Sequence, residues 1–291
     1  MCVQQGRLFF EAAAAAPIQI KPLLIYYGVV AFAQAVIVAR KIVSLSTLAR
    51  AHALADVTPL NEGVERLLLR CENTGTFQEF NDAIAPLGRI WYFENSMPRW
   101  FEKPFDGAAG LSAQRISITD VLSRIPSVAD KFSQTFGSSA KAAPIMLDFE
   151  SPNVGQCRLR IDDPVLFTDR TSLIAAARRW RTDYPFLENW HFIEASHAWG
   201  KAVLVFDNSA NQDQNDFSEA NLVQVNNNGF ASARVMMGAH STFGPASVIL
   251  PPLSGGYVGS SATYVMQPIG GVKLSEYSLQ FLGSFLLVDR I

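Results

Sequence analysis

"PIQIKPLLIYYGVVAFAQAVIVARK", Pro17 to Lys41, holds the longest apolar run in the chain, and whether that run spans a membrane or closes a core decides the fold. From Leu23 to Ala39 the one strongly polar residue is Gln34, yet the run falls just short of the roughly 20 apolar residues that a bilayer core requires. Lys21 stands on one side and Arg40 and Lys41 on the other, so the flanks carry little of the charge asymmetry that orients a span. "IVSLSTLARAHAL" then continues an apolar helical pattern where a membrane protein usually shows a polar loop. The stretch is therefore read as a helix buried on nearly all sides of a soluble bundle, and no membrane contact is expected. Pro22 fits its first turn, where a missing N–H costs nothing, and Gly28, Ala31, Ala33, Ala35 and Ala39 let neighbouring helices approach closely.

The rest of the chain agrees with a soluble core. A length of 291 residues at 49% hydrophobic and 17% charged composition suffices for one large core or two medium ones and argues against global disorder. A net charge of -2 gives no whole-chain attraction to nucleic acid or anionic lipid, so a polyanion would have to be held locally. Cys2, Cys71 and Cys157 are widely spaced and form neither a CxxC pair nor a zinc-type cluster. "MCVQQGRLFFEAAAAAP" places Arg7 and Glu11 before the apolar run, and its small residues precede that run instead of following it as a cleavage site would. The expectation is a reduced, cytoplasmic protein.

Residues 1–140 read as helical. "GRLFFEAAAAA", the opening run, "LSTLARAHALAD", "NEGVERLLLRCEN", "TFQEFNDAIAPL" and "SITDVLSRIPSVADKFSQTF" all carry apolar residues at three- and four-residue spacing. In the last segment Ser117 or Thr119 can cap, Asp120 suits the first turn, and Pro126 breaks it into two short helices. "GSSAKAAP", Gly137 to Pro144, marks the candidate boundary. Over 141–273 the pattern is mixed: "APIMLDFESP", "GQCRLRIDDP", "GKAVLVFDNS" and "GGYVGSSATYVMQP" read as strands, and "DRTSLIAAARRWRTDYP" reads as a helix capped near Asp169 or Thr171. "KLSEYSLQFLGSFLLVDRI" closes the chain at helical spacing. The expected class is α+β, predominantly α-helical, with an N-terminal bundle (1–140), a mixed region (141–273) and a C-terminal helix (274–291) packing back on the bundle.

The order of "QGRLFFEAA", "KPLLIYYGVVAFAQAVI", "ARAHAL", "TGTFQEF", "ISITDVLSRIPSVADKF" and "SLQFLGSFLLVDRI" resembles the YaaC-like proteins of bacteria, over residues 5–135 and 274–291. That family is poorly characterised, so the resemblance implies a fold more than a chemistry. Its members begin somewhat before "QGR" and continue past the closing helix into a basic, aromatic stretch, which implies that this chain is a fragment or a short variant. The two-tyrosine helix followed by a segment with a His is also similar to HEPN-type bundles, some of which are ribonucleases with an Arg and a His four to six residues apart. Here Arg50 and His52 stand only two apart, a departure that puts nuclease activity in doubt.

The candidate chemistry follows from a few clusters. Arg50 and His52 are the catalytic candidates, for phosphate binding and proton transfer on RNA, but on a helix they would diverge by about 200° and would need a second chain to converge. Arg178, Arg179, Trp180 and Arg181 form a basic and aromatic cluster able to hold phosphate while the indole stacks on a base; the plainer reading is a solvated face with Trp180 turned inward. His191, Glu194 and His197 have an H-x-x-E-x-x-H spacing whose drift of about 120° on a helix suits one metal poorly, and a packed aromatic segment with Trp190, Phe192 and Trp199 competes with it. No G-x-S-x-G, Walker lysine or helix-opening G-x-G-x-x-G occurs, and Ser254, Ser260 and Ser261 sit in a Gly-rich loop. No cofactor is expected. The function expected is a non-catalytic binding or assembly module for RNA or a protein partner; the alternative is a degenerate HEPN-type ribonuclease whose site assembles in a homodimer.

Overall fold

A computed structural model describes residues 1–87, 89–94, 97–102, 105–151, 156–163, 167, 169–184, 187, 190–198, 201–207, 222–225, 231–233, 253–254 and 263–288. The fold is α+β, in two compact units. One comprises Met1–Gly88, Lys103–Ala142 and Pro268–Ile291; the other comprises Arg89–Glu102 and Ala143–Gln267.

The first unit contains α1 (Cys2–Ala15), α2 (Lys21–Lys41), α3 (Thr76–Ile84), α4 (Ile118–Leu122) and α5 (Ala129–Phe136). The next helix, α6 (Arg170–Asp183), belongs to the second unit, and α7 (Glu276–Val288) to the first. Local chemistry sets these boundaries. Pro22 stands in the first turn of α2, and Ile42 ends that helix in the left-handed region at φ 53°. Ser117 and Asp120 form a reciprocal capping box at the start of α4: the Asp120 N–H donates to Ser117 Oγ at 3.0 Å and the carboxylate accepts from the Ser117 N–H. Pro126 separates α4 from α5, and Gly137 closes α5 at φ 65°. Helix α7 packs against α2, α3 and α4, with Phe281 ringed by Tyr26, Phe77 and Phe80 at centroid distances of 6.1, 5.6 and 5.7 Å.

Two expected helices are absent. "LSTLARAHALAD" forms a single 3-10 turn at Leu45–Thr47 and then β1 (Leu54–Asp56), while "NEGVERLLLRCEN" forms a 3-10 turn at Val64–Arg66 and then β2 (Leu68–Cys71). Their apolar spacing misled because Leu67, Leu69 and Cys71 are buried while Arg70 between them is exposed, a period of two and not of 3.6. Ala53 at φ 64° also breaks any helix entering β1. Strand β2 is central, pairing antiparallel with β1 and with β5 (Arg115–Ser117), and Leu69 lies opposite both Asp56 and Ile116; β3 (Arg89–Glu94) and β4 (Met97–Glu102), which fall between β2 and β5 in the sequence, pair with each other as a hairpin of the second unit.

Helix α2 also departs from expectation. Tyr26, Val30, Ala33 and Ile37 are buried along the side where Tyr26 meets α7, and Gly28 and Ala31 are buried toward α1. Ile25, Val29, Phe32 and Val36 are only partly covered, and Tyr27 is 44% exposed. The helix is therefore buried on two sides instead of nearly all, with 33% of its most apolar window buried. By length and composition alone α2 is apolar enough to cross a membrane.

The second unit is built on an eight-stranded sheet in the order β10 (Leu222–Val225), β11 (Ala231–Ala233), β8 (His191–Ala198), β9 (Lys201–Asp207), β7 (Gln156–Asp163), β6 (Ala142–Ser151), β13 (Thr263–Met266) and β12 (Leu253–Ser254). The strands read from the sequence at β6, β7, β9 and β13 are all present. Helix α6 starts at a capping box of Asp169 and Ser172 and buries Leu173 and, one, four and seven residues on, Ile174, Ala177 and Trp180 in a core with Ile145, Leu159, Ile161, Leu204 and Phe206.

Candidate functional site

Arg50 and His52 lie on no helix. They occupy the irregular segment between the first 3-10 turn and β1, so the helical divergence expected of them does not apply. Arg50 is exposed and His52 partly buried. The segment is pinned by α3, whose first amides donate to it: Thr76 N–H to Ala51 O at 3.0 Å and Phe77 N–H to His52 O at 3.1 Å. Gly75 makes the approach feasible, since at φ 148° it adopts a conformation closed to side chains, and a Cβ there would stand 2.5 Å from Ala53 Cβ. With its amides thus engaged, the α3 N-terminus offers no free anion cradle of the helix-dipole kind.

The His52 ring meets Tyr26 edge-on at 5.3 Å, and Tyr26 in turn packs against Phe285 at 5.8 Å. His52 Nδ1 is buried with no hydrogen-bond partner among the described residues. The imidazole thus sits against an aromatic wall, a setting that orients a ring, and among the described residues no carboxylate bonds to it to assist proton transfer.

Polar groups that the sequence did not single out are engaged in holding α7. Ser278 Oγ donates to Asn81 Oδ1 at 2.7 Å, and Asn81 Nδ2 donates to Asp106 O at 2.9 Å. The Lys273 N–H donates to Asp106 Oδ2 at 2.7 Å. Arg124, 6% exposed, donates to Asp120 O at 2.6 Å and to Pro268 O at 2.9 Å. Burial works to raise the Asp120 carboxyl, but the hydrogen bond from Ser117 and the charges of Lys141 and Arg124 outweigh it and hold the group below its ordinary value. The signals for this network in the sequence were Ser117 as a cap and Asp120 as a first-turn acid.

The basic cluster on α6 is divided. Trp180 is buried, and its indole N–H donates to Asp163 Oδ2 at 2.6 Å, so no ring face is open for a base to stack on. Arg179 pairs with the same carboxylate, Arg181 donates to Trp190 O at 2.7 Å, and Arg178 is exposed. His191, Glu194 and His197 lie on strand β8 and not on a helix; their side chains, with Trp199, Ser260 and Ser261, are outside the described residues. Among the described residues no group of three His, Cys, Asp or Glu could hold a metal ion.

What the first unit presents outward is the antiparallel pair α1 and α2. A Cβ on Gly6 would stand 2.9 Å from the Phe32 ring and one on Gly28 would stand 3.1 Å from Phe10, so these glycines set the close helix approach. Phe10 stacks on Phe32 at 5.7 Å along one flank and Phe9 on Tyr27 at 5.6 Å along the other. A family model described as YaaC-like protein matches residues 1–231. The chain belongs to the YaaC-like family. The match takes in the mixed region up to residue 231, where the motif resemblance had been thin. No curated protein matches this YaaC-like chain, and no solved structure does. Its α1–α2 hairpin, the Arg50–His52 segment and the α6 cluster all fall inside the matched residues.

Proposed function

We propose that this YaaC-like chain is a non-catalytic assembly module that works in the cytoplasm by docking a protein partner. One observation carries the reading: the α1–α2 pair leaves apolar side chains on its surface, with Val3, Leu8, Phe10 and Tyr27 exposed and Ile25, Val29, Phe32 and Val36 only partly covered. Large contiguous apolar surface on a folded unit is the usual mark of an interaction site. The engagement of Asn81, Asp106, Asp120 and Arg124 in structural bonds supports a non-catalytic role. The buried Cys71, its thiol pushed up to about 12 by burial and then by the charge of Glu72, suits no redox or nucleophilic duty.

RNA is the second partner class, and a HEPN-type ribonuclease assembled in a homodimer is the alternative activity. Arg50, exposed beside a His52 whose Nδ1 has no partner among the described residues, favours that alternative. The purified protein, tested for co-purifying nucleic acid and incubated with labelled RNA beside a His52→Ala variant, separates these readings. The assembly reading expects no cleavage and no bound nucleic acid; cleavage lost in His52→Ala overturns it.

A further inference from the structure

Helix α2 ends in a way that its own packing does not require. Ile42 follows the last helical residue at φ 53° and ψ 47°, the left-handed region where glycine or asparagine usually closes a helix because a branched Cβ crowds the backbone. The same side chain is 91% exposed, so no burial offsets that strain. Residues 39–47 are all exposed, and within them Val43 and Leu45 keep 37% and 43% of their surface in water. The turn that follows pairs its own polar atoms: Thr47 Oγ1 and the Thr47 N–H donate to Ser44 O at 2.7 and 3.1 Å, and the hydroxyls of Ser44 and Ser46 lie 2.7 Å apart. An apolar tip whose polar groups are already bonded leaves water at little cost.

The charge beside the tip has one sign. Arg40 and Lys41 occupy the last turn of α2, both exposed and in no ion pair among the described residues. Their place suits the helix dipole, which accounts for the cations but not for Ile42. No acidic residue occurs between Glu11 and Asp56, a stretch that also holds Lys21 and Arg50, although the whole chain is net negative. Ten of the fourteen large hydrophobic residues exposed among the described ones fall within the first 45 positions, so uncovered apolar side chains and unpaired cations gather in the same segment. We propose that the tip from Arg40 to Leu45 docks on an anionic lipid surface, with Ile42, Val43 and Leu45 entering the headgroup boundary and Arg40 and Lys41 meeting lipid phosphates. Either signal alone holds a peripheral protein poorly, and the two together hold it reversibly.

The contact is with a surface and is not a span, because Tyr26 and Ile37 of the same helix stay buried in the core of their unit. A nucleic acid would use the two cations but gain nothing from a strained, exposed Ile42, whereas the lipid boundary uses both. The inference goes beyond the assembly reading and does not rest on it. That reading stands on side chains along the α1–α2 pair, from Val3 to Val36, while the tip lies past the end of α2. Either can therefore fail alone.

Co-sedimentation of the purified chain with vesicles at about 1 mM lipid, a concentration matched to one apolar tip and two cations, tests this. Vesicles of phosphatidylglycerol and phosphatidylethanolamine should bind the chain at low salt and release it as salt rises, and vesicles of phosphatidylcholine alone should not bind it. Ile42→Gly should weaken binding about tenfold, the loss of most of one inserted side chain. The same substitution should raise Tm, since glycine relieves the left-handed backbone, and a residue kept for folding would move Tm the other way. Arg40→Gln combined with Lys41→Gln should weaken binding about thirtyfold. Leu60→Ser, at an exposed apolar position outside the tip, should bind as the wild type does. No binding to the anionic vesicles overturns the proposal, as does equal binding to phosphatidylcholine or binding that Ile42→Gly leaves unchanged. A fall in Tm with Ile42→Gly makes Ile42 a folding residue and overturns it too. Binding of single-stranded RNA through Arg40 and Lys41 without any vesicle binding assigns the tip to nucleic acid and likewise overturns it.

Discussion

The indole N–H of Trp180 donates to a carboxylate oxygen of Asp163 that has no exposure to solvent, at 2.6 Å, and Arg179 reaches the same oxygen from a side chain that is 42% exposed. Replacement of Asp163 by Ala strands a buried donor on Trp180, whereas Arg179 can turn to water. The cost expected is therefore that of one orphaned hydrogen bond to a charged acceptor, about 2 kcal/mol, and not the larger penalty of a fully buried ion pair. Urea unfolding followed by tryptophan fluorescence checks it.

Gly75 sits at φ 148° and ψ -169°, a region only glycine occupies comfortably. Gly75→Ala adds backbone strain to a collision with Ala53 Cβ at 2.5 Å and Ala51 O at 2.7 Å. A loss of about 2–3 kcal/mol is expected, read as a fall in Tm by calorimetry, with the segment bearing His52 losing amide protection in hydrogen exchange before the rest of its unit.

The acid side of the stability profile should depend on Asp120. Its carboxyl is held below the ordinary value of 3.8 in the folded chain, so the folded state favours the ionised form. That contribution is complete above the unfolded value and is lost as pH falls below 3.8 through the folded value. The stability difference between wild type and Asp120→Asn should therefore be constant near neutrality and shrink below about pH 4. A difference that stays constant down to pH 2 would refute this assignment.

Cys71 should be inert in the native state. With its thiol near 12, the thiolate at pH 8 amounts to about one part in ten thousand, and burial blocks access as well. Alkylation with iodoacetamide followed by peptide mass spectrometry should leave Cys71 unmodified in the folded chain and label it fully in denaturant.

The sequence exposed some of these features and concealed others for identifiable reasons. Helix α2 was legible from Pro22 and its unbroken apolar run, α4 from Ser117 and Asp120, and α6 from Asp169, because each carries its own start signal. The β1–β2 segment was not: "ERLLLRC" satisfies helical and strand spacing equally, and only the partners Asp56 and Ile116, far off in sequence, decide between them. The coverage of α2 was likewise hidden, since hydropathy reports how apolar a side chain is and not which neighbour reaches it. Trp180 shows the same limit in reverse. Its place in "RRWR" left a binding surface open beside the plainer reading of a ring turned inward, and the residue that decides for the latter, Asp163, lies on another element.

The unit that carries α2 is assembled from three separate stretches of chain, and its last helix lies beyond Pro268. During synthesis Tyr26 and Phe77 leave the ribosome well before Phe281, the ring they both pack against. Every nascent chain must therefore carry an open aromatic cleft through the whole translation of the intervening unit, and it can seal only when α7 arrives. That interval makes the first unit a candidate client for trigger-type chaperoning, and a ribosome stalled before residue 276 should display that cleft to any hydrophobic probe.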